Sequence, residues 1–461
     1  MTKFLILPFL LLCQFSYAQV FDIDTLWFSG QTNSRINLVI MGDGYQSSEF
    51  SQFVADANNF TNALFLETPY KEYKNFFNVF AIKVPSNESG ASHPGTATDV
   101  SEPAHPISIV DNYFGSTFDY FNIHRLLVAT NTTDITNVLA NNFPSYDQAF
   151  ILVNTSYYGG SGGQHPTASL SSSSSEIAIH ELGHSFVNLK DEYYAGDVYA
   201  SEGINMTQET NPNNVKWANW MNQNGIGIYQ HCCGGNSASW YRPNQSCKMR
   251  MLGNPLCSVC VEGSIEKIHA LVSPIDSYSP SNIGLINITN PITFKVTLIE
   301  PIPNTLKINW ILNGNALAIN IDSVILNTSV LLSSSNQLQV TIEDTTSLLR
   351  IDNHETIHFY TILWDINVGT TSIENISRNA LDIKLFPNPM KDVLSIQLAE
   401  ELAESYGIEI TDLSGRLLIT EKVTSSKMPT QLDVSNLPQG AYIINFKFKN
   451  NIIVSRKVIK S

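Results

Sequence analysis

Apolar and polar positions divide the chain into two textures. Between residue 33 and about residue 273, the runs "RINLVIMGDGY", "FFNVFAIKV", "HRLLVAT" and "QAFILVN" predict short strands closed by polar turns. Among them, "SSEFSQFVADANNFTNALFL" spaces Phe50, Phe53, Val54, Phe60 and Leu64 at helical intervals behind a serine cap. "TDITNVLANNF" predicts a further helix. Strands alternating with helices predict an α/β (α+β) unit, a sheet with helices packed on it. Beyond Ser273 the helical spacing stops. A Pro/Ser/Asn linker, "SPIDSYSPSNIG", leads into "ITFKVTLI", "LKINWILNG", "SVILNTSVLL", "LQVTIED" and "IHFYTILWDIN". These short runs predict an immunoglobulin-like β-sandwich with Trp310 as its buried aromatic and no cysteine in its core. A second break, near Asn375 to Ala380, precedes a last small β unit.

The N-terminal pattern bears on compartment. Met1-Thr2-Lys3 is a short basic start, Phe4 to Cys13 is apolar apart from a proline, and Ser16-Tyr17-Ala18 offers small residues where a signal peptidase reads. This predicts a secretory signal cut before Gln19. No run reaches the ~20 apolar residues a transmembrane helix needs, so no transmembrane segment is expected. Leu12 precedes Cys13 where a lipoprotein signal wants a small residue. The expected organisation is a signal peptide at 1–18, an α/β unit at 19–273, a β-sandwich at 274–374 and a C-terminal β unit at 380–461.

Charge and cysteines narrow the picture. The 461 residues carry a formal charge of −15. Nucleic acid is thereby excluded as an expected partner, because phosphate backbones demand clustered Lys and Arg. Past the signal, Cys232, Cys233, Cys247, Cys257 and Cys260 fall close together. In an oxidising compartment this clustering predicts local disulfide stapling with an odd thiol left over, though the pairing is not readable. The alternative for Cys257-Ser-Val-Cys260 is half of a zinc knuckle.

The candidate chemistry lies in "SSSSSEIAIHELGHSFVNLKDEYY", residues 171 to 194. His180 and His184 are spaced i, i+4, which puts both imidazoles on one helical face, one turn apart. That separation suits two ligands of one tetrahedral Zn2+. Glu181 is rotated around the helix and reaches a metal-bound water instead of the metal. Zinc lowers the pKa of such a water toward about 7, and the carboxylate takes its proton as it attacks a carbonyl. Ser174 or Ser175 is the expected helix cap. A third ligand is needed. In the compact HExxHxxGxxH pattern a glycine and a third histidine follow, but Val187 and Lys190 stand there, and an ammonium has no lone pair to give. Asp191, one position later, is the expected metal ligand, with Glu192 the alternative.

The stretch "HELGHSFVNLKDEYY" resembles the HExGHSFxxLxDEY signature of the bacterial IgA-peptidase family of secreted zinc endopeptidases, placed with the metzincins. "LVIMGDGYQSSEF", "VPSNESGASHP", "SCKMRML" and "CSVC" resemble its other markers, over roughly residues 33 to 270. The resemblance implies a metzincin-like zinc peptidase with His180, His184 and Asp191 as metal ligands and Glu181 as catalytic base. It also implies a methionine turn beneath the metal, at Met249 or else Met251. By the same analogy the glycine-rich "YYGGSGG", 157 to 163, lies near the rim where substrate runs in extended form. Tyr193 or Tyr194 is a candidate hydroxyl for the oxyanion. At the C-terminal end, "LFPNP", "ITDLSGRLL", "LPQGAYII" and the closing "SRKVIKS" resemble the sorting domain of the bacterial type IX secretion system. That resemblance implies export across the outer membrane of a Gram-negative bacterium, with the type IX machinery as a partner.

The expected fold is therefore a metzincin-like α/β zinc peptidase domain followed by two all-β sandwich-type domains. The expected function is a zinc-dependent endopeptidase, secreted or held at the cell surface, acting on protein or peptide substrates. Two other readings stay open: a surface binding protein presenting the sandwich to a glycoprotein or glycan, and a zinc amidase acting on a non-protein substrate. The intact His-Glu-His set argues against the first of these.

Overall fold

In Ile36–Asp43, successive side chains are buried on opposite faces, so this strand is covered from both sides. Such double burial is what its near-continuous apolar run requires. The computed structural model describes residues 19–333, 335–351, 357–368, 383–398, 406–412, 416–423, 429–448 and 451–461. The expected signal peptide, the break near 375–380 and residues 413–415 of "ITDLSGRLL" lie outside them.

The first compact unit holds residues up to Ser277 together with Thr297–Lys307 and Ile342–Tyr360. Its strands include β1 (Ile23–Trp27), β2 (Ile36–Asp43), β3 (Phe77–Ile82), β4 (Ser116–Thr117), β5 (Val128–Ala129), β6 (Gln148–Val153), β7 (Gly160–Ser161) and β8 (Thr167–Ala168). Its helices are α1 (Phe50–Leu64), α2 (Thr132–Asn142), α3 (Ser174–Val187) and α4 (Ser258–Leu271). The main sheet runs β1-β3-β2-β6-β8-β7. β3, β2, β6 and β8 are mutually parallel, and the edge strands β1 and β7 are antiparallel to their neighbours.

Alternation in the strands decides which helix packs where. Leu38, Ile40, Val79, Ala81, Phe150 and Leu152 face α1, α3 and α4. Val39, Met41, Phe80, Ile82, Ile151 and Val153 face α2 through Ile135, Val138 and Leu139. On α1 the buried positions Phe53, Ala57, Phe60 and Leu64 recur at three and four residues, and Phe60 stacks on Phe150 with centroids 4.9 Å apart. The result is a mixed α/β unit in three layers, with α3 pressed onto the sheet beside its β7–β8 edge.

Asp344 fixes a later segment into this same unit. Its carboxylate is fully buried and accepts hydrogen bonds from Tyr73 Oη (2.6 Å), Thr305 Oγ1 (2.6 Å) and the Thr346 N–H (3.1 Å). His269 Nε2, at the end of α4, lies 3.0 Å away. Burial opposes ionisation here, but these hydrogen bonds outweigh it and hold the carboxyl down at about 2.

The second unit contains two β regions. In the middle one, Ile292–Leu298 pairs antiparallel with Ser323–Leu326, and Leu306–Leu312 forms a hairpin with Asn315–Ile319. Trp310 is fully buried and stacks on Trp364, centroids 5.8 Å apart, so it fills the core as its place in the pattern predicted. In the C-terminal region a three-stranded sheet (Ile383–Phe386, Val393–Leu398, Thr430–Asp433) and a four-stranded sheet (Leu417–Val423, Tyr406–Asp412, Gly440–Phe448, Asn451–Lys460) share one apolar core. Among the described residues no helix is long and apolar enough to cross a membrane.

Candidate metal centre and active site

Helix α3 starts at Ser174 after Ser173, so the cap position falls one residue before the serines expected, and no side chain closes it. Its first turn is tied down instead by Glu176, which accepts from the Gly253 N–H (2.9 Å) and pairs with the buried Lys248 ammonium. The helix ends at Asn188, which takes left-handed angles (φ 63°, ψ 34°). This is the turn a glycine supplies in the compact pattern. Asparagine tolerates it better than other non-glycine residues. The Asn188 N–H then bonds to the His184 carbonyl and the Leu189 N–H to the Gly183 carbonyl, both at 3.0 Å, and the chain doubles back beneath the histidines.

The return brings Asp191 to both imidazoles. Asp191 Oδ1 lies 3.1 Å from His180 Nε2 and 3.2 Å from His184 Nε2, and the two Nε2 atoms are 3.2 Å apart. The far nitrogens are spoken for: His180 Nδ1 lies 3.1 Å from the Lys248 carbonyl and His184 Nδ1 2.7 Å from the Leu189 carbonyl. A carbonyl only accepts, so each Nδ1 carries the proton. In the neutral rings both Nε2 lone pairs therefore point at one another and at a carboxylate oxygen. Three acceptors converge with no hydrogen among them, an arrangement a cation satisfies. Tetrahedral Zn2+ with bonds of about 2.0–2.1 Å separates its ligand atoms by about 3.3 Å, so the donor set fits the ion.

Without a cation, a proton serves. Burial would lower the His184 pKa, but the Asp191 carboxylate outweighs it and pushes it up to about 9. Burial likewise opposes ionisation of Asp191, yet hydrogen bonds from His180 and His184 hold it well below the usual carboxylate range.

Glu181 lies beside this set, with a carboxylate oxygen within 4.8 Å of the histidine nitrogens. Burial is the largest influence on it and pushes its pKa up. The cleft above is lined by His180 and Glu181 together with Arg125, Tyr158, Tyr193, Arg250 and Met251. Arg125 Nη2 lies 3.5 Å from Tyr193 Oη, and the guanidinium sits over the Tyr193 ring. Tyr194 points outward and is half exposed. The glycine-rich stretch reaches the site at Gly160, which lines the cleft, and at Gly162, which touches Glu181; the Gly160 N–H already donates to the Arg125 carbonyl (3.2 Å).

Beneath the helix, Met249 is fully buried whereas Met251 is largely exposed. A Cβ at Gly183 would come within 2.9 Å of Met249 Sδ, so the glycine lets the methionine approach the helix between the two histidines. Glu192, the alternative third ligand, faces away from the imidazoles. It is buried against Asn205 Nδ2 (2.9 Å) and Cys260 Sγ (3.6 Å). The expected disulfides are not formed: the five cysteines among the described residues are free, and the buried sulfurs of Cys247 and Cys257 each sit 3.6 Å from that of Cys260 where a bridge needs about 2.05 Å. Sequence reasoning missed Arg125, which sits inside a run read as a strand, and Asn205 and Lys248, which come from loops with no periodic signal.

Comparison with known proteins adds two family matches. Residues 25–229 match the family model described as IgA Peptidase M64, and residues 384–461 match the one described as a secretion system C-terminal sorting domain. No curated protein matches the chain. Among solved structures, it is similar to the BSP domain of a biofilm-associated protein at 15% identity, over 40% of this chain and 29% of that one, with a TM-score of 0.15. It is similar to the fibronectin(III)-like modules of Clostridium thermocellum CbhA at 8% identity, over 40% and 91% of the two chains, with a TM-score of 0.16. A two-domain fibronectin type-III segment of chicken tenascin aligns at 12% identity, over 41% and 99%, with a TM-score of 0.15. Scores this low carry no conclusion about fold or function. The two family matches do: residues 25–229 carry a peptidase domain of the IgA Peptidase M64 family, and residues 384–461 carry a type IX secretion sorting domain, which makes this a secreted or cell-surface protein.

Proposed function

We propose that this chain is a secreted zinc-dependent endopeptidase of metzincin-like design. In this reading a signal peptide occupies 1–18, the peptidase domain 19–273, an immunoglobulin-like sandwich 274–374 and the sorting domain 380–461. The carrying observation is the convergence of His180 Nε2, His184 Nε2 and Asp191 Oδ1 with their far sides fixed by carbonyls and the helix turn. These three atoms would hold Zn2+. When bound, the zinc supplies a Lewis acid that polarises a peptide carbonyl and acidifies water.

The chain's own groups do the rest. Glu181 accepts a proton from the attacking water and returns it to the leaving amine; its raised pKa suits both transfers. Tyr193 accepts from Arg125 and so keeps its own O–H free to donate to the developing oxyanion. Met249 and Gly183 support α3 from below, and Lys248 and Leu189 hold the imidazole tautomers. A surface binding protein would need none of these proton-handling groups, so the presence of Glu181 favours the enzyme.

The test uses the full-length chain and a mixed protein substrate. A chelator should abolish cleavage, and Glu181→Gln should keep the zinc while lowering kcat by about 10²–10⁴-fold. Unimpaired cleavage by that variant would remove the mechanism.

A further inference from the structure

The carboxylate that turns away from the histidines turns toward sulfur. Glu192 and Cys247, Cys257 and Cys260 are all buried, and one ligand atom from each lies within 4.8 Å of the others. Cys260 Sγ is 3.6 Å from the sulfurs of both Cys247 and Cys257, and 3.6 Å from Glu192 Oε1. These separations are too long for a bonded pair of sulfurs. They match the edges of a tetrahedron around zinc: with Zn–S of about 2.3 Å and Zn–O of about 2.0–2.2 Å, ligand atoms sit roughly 3.5–3.8 Å apart.

Sulfur–sulfur contacts push the Cys247 thiol up, and burial pushes the Cys260 thiol up, yet the backbone around the three sulfurs offers donors that a thiolate would use. The Cys257 N–H donates to Cys247 Sγ at 3.3 Å. Cys257 is the N-cap of α4 and Cys260 lies in its first turn, so the positive end of the helix faces the sulfurs. Asn205 Nδ2 orients Glu192 by bonding Oε1, while Oε2 is buried and has no hydrogen-bond partner. An unpaired buried carboxylate oxygen is costly, and a cation removes the cost.

We propose that Cys247, Cys257, Cys260 and Glu192 form a second, structural zinc site. On binding, Zn2+ takes the place of the three thiol protons, which leave to solvent with any proton held by Glu192; no sulfur is oxidised. Glu192 acts as a positioning residue. Its N–H is held by the Met249 carbonyl (2.8 Å), and its neighbour Asp191 faces the histidines. One dipeptide thus reaches two metal positions, and the sulfur site locks the turn that presents Asp191. This site does not depend on the histidine site being loaded, and the two are separable.

The experiment measures metal content and absorption of the full-length chain, purified as it is expressed and with Co2+ in place of zinc. The expected result is two metals per chain. A thiolate-to-cobalt charge-transfer band should appear, which the His/Asp set cannot produce. The band and one metal should persist in His180→Ala/His184→Ala. Cys257→Ser/Cys260→Ser should lose the band, and where that variant does not fold, the wild-type band still decides. A wild-type chain with no thiolate band overturns the proposal. So does an intact mass showing two of the three sulfurs joined.

Discussion

A Cβ built on Gly162 would lie 2.7 Å from Oε2 of Glu181, and 3.4 Å from the His184 ring. The backbone of the rim loop and the proposed base are therefore in direct contact. Gly162→Ala should push Glu181 off its position while leaving His180, His184 and Asp191 in place. A displacement of the order of 1 Å costs about 10²-fold in rate. Steady-state kinetics should show that drop in kcat, with zinc content unchanged.

The left-handed residue that ends α3 makes a sharper distinction. Asn188→Gly should be tolerated, because glycine adopts φ near 60° freely. Asn188→Val should cost about 1–2 kcal/mol and weaken zinc binding, since the turn that returns Asp191 is strained by the branched side chain. Thermal unfolding and competitive zinc titration of the two variants check this.

Met249 offers a test of support from below. Met249→Ala leaves a void under the histidine turn and should cost about 2–5 kcal/mol. Met249→Leu, close in volume, should cost less than about 1.5 kcal/mol. Denaturant unfolding of each variant reads out the difference.

Asp344 sets an acid limit. Its folded pKa, about 2, lies below the unfolded value near 3.9. Its contribution is therefore complete above pH ~4 and is lost as the pH falls toward 2, a change of roughly 2.5 kcal/mol. Asp344→Asn should lower stability at neutral pH by about 3–5 kcal/mol, because His269 and Tyr73 lose their charged partner. It should also flatten the decline below pH 4. Urea midpoints across pH 2.5–7 for the two chains give the comparison.

Local features were legible in the sequence and distant ones were not. The spacing of His180 and His184 is a property of one helix, so it could be read directly. The identity of the strands at 36–43, 77–82 and 148–153 followed from their apolar runs. Their order in the sheet did not, because pairing depends on contacts far apart in the chain. "HRLLVAT" predicted a strand, yet only Val128–Ala129 pairs as one: the Arg125 carbonyl accepts from the Gly160 N–H, while Leu126 donates to the Ile123 carbonyl and accepts from the Tyr120 N–H in the preceding turn. Leu189 and Lys248 fix the imidazoles through carbonyls, which every residue owns and no motif marks. The cysteines show the same limit: their clustering told that they meet, and only the geometry told how far apart the sulfurs stand.

Asp344 also bears on how the enzyme is to be handled at the bench. A fragment ending at residue 273 would look like a natural boundary from the linker that follows. It would leave Tyr73 and His269 without the anion they close around, and would remove Thr297–Lys307 and Ile342–Tyr360 from the body they pack into. An inactive or insoluble preparation of that piece would speak of a missing plug rather than of missing chemistry.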